Sequence, residues 1–90
     1  MMDINLISDT VTKPTKEMID FMVSCEVGDD VFKEDPTVNK LEEKVAKMFN
    51  MEKALFFPSG TMTNQTAIKI NTNPGDQLIC SKTAHVYNYE

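Results

Sequence analysis

Ninety residues with a net charge of −5, 41% hydrophobic and 26% charged, suffice for one small soluble domain. The acidic balance disfavours nucleic acid, whose affinity comes largely from cationic contacts to phosphates. No apolar run reaches the length of a bilayer span, so no membrane partner is expected.

Met1-Met2-Asp3-Ile4-Asn5 lacks the basic-then-apolar pattern of a secretory signal. Cys25 and Cys80 stand far apart, outside any CxxC spacing, and read as reduced thiols of a cytoplasmic protein. Ile4 to Ile7 reads as a short extended segment. In the polar stretch Ser8 to Thr15, Pro14 pushes Lys13 out of helical geometry. Thr15 is placed to cap a helix running to about Cys25, with Met18, Ile19, Phe21 and Met22 as its apolar face. Gly28-Asp29-Asp30 breaks that helix.

The second helix is the best determined. Asp35 caps it, Pro36 suits its first turn, and Val38, Leu41, Val45 and Met48 recur at steps of three and four. Ala54-Leu55-Phe56-Phe57 reads as a buried strand, ended by Pro58-Ser59-Gly60. Thr61 to Ile70 reads as a third helix, Asn73-Pro74-Gly75-Asp76 as a turn, and Gln77-Leu78-Ile79-Cys80 as a second buried strand. Strand, helix, strand implies an α/β domain with a mainly parallel sheet. That sheet is incomplete, because two strands cannot form a shielded parallel sheet.

Several residue groups are suited to chemistry. Ser59-Gly60-Thr61 opens a helix whose first N–H groups lack intrahelical partners, and the helix dipole favours an anion there. Gly60 admits a phosphate to the backbone and two hydroxyls flank it. An ordinary helix cap explains the tripeptide equally simply, and taken alone it is the better account. No Walker lysine or GxGxxG pattern accompanies it. His85, the only histidine, follows the second strand, where open α/β sheets bind ligands. A lone histidine is more often structural, and Cys80 and His85 have no ligand cluster around them that would hold a metal. Gly28-Asp29-Asp30 and Glu34-Asp35 read as a solvated turn with a helix cap, too irregular for an EF-hand. Ser8-Asp9-Thr10 reads as a side-chain-stabilised turn.

In order, these blocks are far more specific. Ser8-Asp9-Thr10-Val11-Thr12-Lys13-Pro14-Thr15, Gly28-Asp29-Asp30-Val31-Phe32 and Glu34-Asp35-Pro36-Thr37-Val38-Asn39 resemble the opening of low-specificity threonine aldolases. Phe57-Pro58-Ser59-Gly60-Thr61-Met62-Thr63-Asn64-Gln65 and Ala84-His85-Val86-Tyr87 continue the pattern at similar intervals. The resemblance implies fold type I, the aspartate-aminotransferase-like fold, with pyridoxal 5'-phosphate as cofactor. It implies cleavage of L-threonine or L-allo-threonine to glycine and acetaldehyde, by dimers or tetramers with active sites at subunit interfaces. β-Elimination on the same fold and a non-catalytic binding module are the alternatives.

By the same resemblance, Ser59, Gly60 and Thr61 bind the cofactor phosphate. His85 stacks on the pyridine ring beside the substrate hydroxyl, and Ser8 binds the substrate carboxylate. Residues 1–35 correspond to an N-terminal arm and 36–90 to the start of the cofactor-binding large domain. Two positions depart from many members: Ile7 where they have arginine, and Phe32 where they have tyrosine. None of the nine lysines matches the family's cofactor lysine, and there is no arginine to clamp a carboxylate. The resemblance therefore implies an N-terminal fragment, inactive alone.

Overall fold

Local side-chain caps start three of the four helices in the computed structural model, which describes residues 4–90. Met1–Asp3, part of the opening read as lacking an export signal, lie outside the described residues. Helix α1 spans Lys16–Ser24, and its N-cap Thr15 accepts the Met18 N–H at 3.2 Å. Helix α2 spans Pro36–Met48, with Asp35 as cap and Pro36 at its start. Helix α3 spans Gly60–Asn71 and is capped by Ser59, whose hydroxyl accepts the Met62 N–H at 3.2 Å. These three agree with the sequence reading to within a residue or two. A single turn, α4, covers His85–Asn88 with no side-chain cap.

The C-terminus of α2 closes in a way the sequence reading did not anticipate. Asn50 adopts the left-handed conformation, φ 53°. Met51 N–H then reaches the Ala46 carbonyl at 2.9 Å and Asn50 N–H the Lys47 carbonyl at 3.2 Å. That pair of bonds is a Schellman closure, with asparagine in the place glycine usually takes.

The acidic segment before α2 is a closed knot. Asp35, only 8% exposed, accepts three backbone N–H groups: Thr37 at 3.0 Å and Val38 at 2.9 Å on Oδ1, and Gly28 at 3.0 Å on Oδ2. Thr37 Oγ1 donates to the Glu26 carbonyl at 2.6 Å, and Asn39 Nδ2 to the Lys33 carbonyl at 2.9 Å. A Cβ on Gly28 would fall onto the Glu34 carbonyl, so only glycine fits this closure. The cap reading of Asp35 therefore holds, with an added tie to Gly28.

The Val38 N–H, then that of Gly28, lowers the Asp35 pKa below its ordinary 3.8 against the opposing effect of burial, with Thr37 adding to the fall. A group whose folded-state pKa is lowered contributes stability above its unfolded pKa and loses it as pH falls through the folded value. Acidification below about pH 4 should accordingly speed amide exchange at Gly28, Thr37 and Val38 in the full-length protein. In Asp35→Asn these amides should exchange fast already at neutral pH. Unchanged protection across that range would contradict the assignment.

The mainly parallel sheet expected from the sequence does not form among the described residues. Ala54–Phe57 and Gln77–Cys80 form neither strand nor helix and pair with no neighbour among the described residues. A strand is held by its neighbours, and neither segment has one. Instead Phe56 N–H donates to Glu42 Oε1 at 2.9 Å, and Glu42 Oε2 lies 3.5 Å from Lys33 Nζ. The Phe56 N–H, with the Lys33 charge behind it, draws the Glu42 pKa below 4.5 against the effect of burial.

Helices without a sheet leave the apolar faces bare. Ala46 is the one buried hydrophobic residue among the described residues. The α1 face of Met18, Ile19, Phe21 and Met22 is exposed, and Ile79 is 97% exposed. The radius of gyration is 17.1 Å, against about 12 Å for a compact chain of this length. The helices are locally specified, but no common core joins them.

Candidate functional site

The first turn of α3 is free at its N-terminus. Ser59 Oγ takes the Met62 N–H and the Ser59 carbonyl takes the Thr63 N–H at 3.2 Å. The N–H groups of Gly60 and Thr61 have no hydrogen-bond partner among the described residues. A Cβ on Gly60 would meet nothing within 4 Å, so the approach to these donors is open. Two unspent N–H groups, the Thr61 hydroxyl and the positive end of a 12-residue helix form a donor set suited to a phosphate.

His85 is joined to the same helix through Glu90. Its Nδ1 lies 2.9 Å from Glu90 Oε1, and Asn64 Nδ2 of α3 donates to that oxygen at 3.1 Å. Gln65 Nε2 reaches the Glu90 carbonyl at 3.5 Å. Asn64 follows Gly60 by four residues, so it lies on the same helix face about 6 Å further along. The Tyr89 ring packs against the imidazole with centroids 4.9 Å apart and planes inclined by 38°. The His85 side chain itself is 65% exposed.

Ser59, Gly60, Thr61 and His85 are thus gathered on and beside the N-terminal half of α3. Ser8 is not tied to them by any hydrogen bond. It caps the single 3-10 turn Asp9–Val11, taking the Thr10 N–H at 3.2 Å and the Thr10 hydroxyl at 2.9 Å. Asn64, Gln65 and Glu90 were missed by the sequence reading. Glu90 lies five residues past His85, a spacing that corresponds to no helix face, so no periodic signal marks it.

Other features carry less chemistry. A hollow between α1 and α2, lined by Phe21, Cys25, Pro36, Leu41 and Phe56, contains none of these residues. No group of three metal-ligating side chains occurs among the described residues. Among the described residues no helix is long and apolar enough to cross a membrane. Cys25 and Cys80 are both free thiols.

The family profile described as beta-eliminating lyase matches residues 5–90. A low specificity L-threonine aldolase of Escherichia coli strain K12 is 41% identical over 87 residues, covering 97% of this chain and 26% of that protein. Low-specificity L-threonine aldolase 1 of Arabidopsis thaliana is 44% identical over 91 residues, covering 100% and 25%. A low specificity L-threonine aldolase of Saccharomyces cerevisiae is 41% identical over 87 residues, covering 96% and 22%. The chain spans about a quarter of the length of these curated relatives.

Proposed function

The chain belongs to the beta-eliminating lyase family, and from that membership we propose that it is part of an aldehyde-lyase dependent on pyridoxal phosphate. The whole enzyme cleaves L-threonine and L-allo-threonine to glycine and acetaldehyde. The observation that carries this reading is the open α3 N-terminus one helical turn from the Asn64–Glu90–His85 link. An anion site and an exposed imidazole on one short helix segment fit a phosphate-bearing cofactor and a proton acceptor beside it.

When bound, pyridoxal phosphate supplies the electron sink for the carbanion left at Cα of glycine. The Gly60 and Thr61 N–H groups, with the Ser59 and Thr61 hydroxyls, hold its phosphate. His85 covers the ring and takes the proton of the substrate hydroxyl, and Ser8 binds the substrate carboxylate. Arginine clamps and the cofactor lysine come from elsewhere in the whole enzyme.

Residues 1–35 correspond to an arm and 36–90 to the start of the large domain, with the Glu26–Thr37 bond tying one to the other. The bare apolar faces fit an enzyme assembled as a homodimer or homotetramer, and the two free thiols fit the reducing cytoplasm.

β-Elimination is the second reading, favoured by the family's own description. A full-length enzyme carrying these residues, given threonine, should release glycine and acetaldehyde in equal amounts. A 2-oxo acid and ammonia in their place would transfer the assignment to elimination.

A further inference from the structure

The Glu90 side chain is almost wholly enclosed, at 1% exposed, although it carries a carboxylate. Oε1 faces Asn64 Nδ2 and His85 Nδ1, while Oε2 is buried with no partner among the described residues. A carboxylate removed from water needs donors, and this one has only two. The Asn64 amide nitrogen can only donate, so Oε1 accepts there; with Glu90 ionised Oε1 can only accept from His85 as well, and the ring nitrogen facing it then carries the hydrogen.

A neutral imidazole has one N–H. Fixing it at Nδ1 leaves the lone pair on Nε2. Nε2 makes no hydrogen bond among the described residues, and the exposed ring leaves it open to a ligand.

We propose that Glu90 is a positioning residue that holds His85 in the Nδ1–H tautomer, so that Nε2 accepts the substrate's hydroxyl proton. The proposal rests on the aldolase reading of the site. In that step the O–H bond breaks toward Nε2 and its electron pair closes the aldehyde C=O. The Cα–Cβ bond breaks and its pair remains on Cα. A hydrogen fixed on Nε2 instead would leave no acceptor for the proton.

The test compares Glu90→Gln, His85→Phe and wild type as full-length holoenzymes on threonine. A second substrate is a β-hydroxy amino acid with an electron-poor aryl group, whose hydroxyl gives up its proton more readily. Gln at 90 can turn its N–H toward the ring and move the hydrogen to Nε2. Its kcat on threonine should fall about 10-fold or more, with KM and the cofactor absorbance unchanged, and should fall less on the aryl substrate. Equal losses on both substrates, or loss of cofactor, would indicate simple packing and overturn the proposal. Wild-type kcat in Glu90→Gln with a slow His85→Phe would overturn the tautomer role alone. Wild-type kcat in His85→Phe would sink the proton-acceptor reading beneath it. Nitrogen-15 spectra of histidine-labelled wild-type holoenzyme give a variant-free check, with the His85 signal identified by its absence in His85→Phe. That signal should report Nδ1–H, and an Nε2–H tautomer would overturn the proposal.

Discussion

Replacing His85 with Phe in the full-length enzyme should lower kcat on the order of 100-fold while pyridoxal phosphate stays bound. The substitution separates the two roles proposed for the imidazole. Phe keeps an aromatic face, so stacking on the cofactor ring survives. It removes both nitrogens, so nothing remains at that position to take the hydroxyl proton. The side chain is 65% exposed, and the substitution therefore opens no core cavity. Its structural cost is confined to the bond with Glu90 Oε1 at 2.9 Å and the packing with Tyr89. Cofactor absorbance reads that cost independently of the rate. A variant with wild-type kcat and an unchanged pH profile would confine His85 to stacking.

Gly60→Val should abolish retention of the cofactor at concentrations where wild type is saturated. The open space around Gly60 gives this test its force. A Cβ there meets nothing within 4 Å, so a side chain costs the fold little in contacts and acts by occupying the approach to the Gly60 and Thr61 N–H groups. Thr61→Ala leaves the approach clear and removes one hydroxyl donor to a charged group, a loss of about 1.5–3 kcal/mol of binding. Titration of both apoenzymes with pyridoxal phosphate should therefore rank Val at 60 well below Ala at 61. Wild-type affinity in both would return Ser59-Gly60-Thr61 to a plain helix cap.

What the sequence made legible was local. Thr15, Asp35 with Pro36, and Ser59 each start a helix through bonds spanning two or three residues, and such bonds leave a direct trace in residue order. The open helix end at Gly60, where an anion site is proposed, is of the same kind, because a helix end is a local object. The strand reading rested on apolar runs, and apolarity shows that a segment seeks cover without supplying the neighbour. Ala54–Phe57 and Gln77–Cys80 accordingly stand unpaired, in neither strand nor helix. Glu90 was illegible for a related reason. Its partner Asn64 is 26 residues away, and no spacing rule connects them. The turn at His85–Asn88 lacks a capping side chain, so it has no start signal to read.

The Glu42–Phe56 bond sets a register. Along an extended segment each residue advances the chain by roughly 3.3 Å, and a slip of one residue turns every side chain to the opposite face. No sheet neighbour fixes Ala54–Phe57 among the described residues, and the 2.9 Å bond from Phe56 N–H to Glu42 is a pin on its position. Phe57 beside it is half-buried, while Phe56 stays at 49% exposure. Pro58, Ser59 and Gly60 follow directly, so the same pin locates the start of α3. A slip would carry the two free N–H groups roughly 3.3 Å along the chain direction, enough to break any hydrogen bond they made. A carboxylate 18 positions upstream of Gly60 in the sequence thus helps to set where the proposed anion site lies.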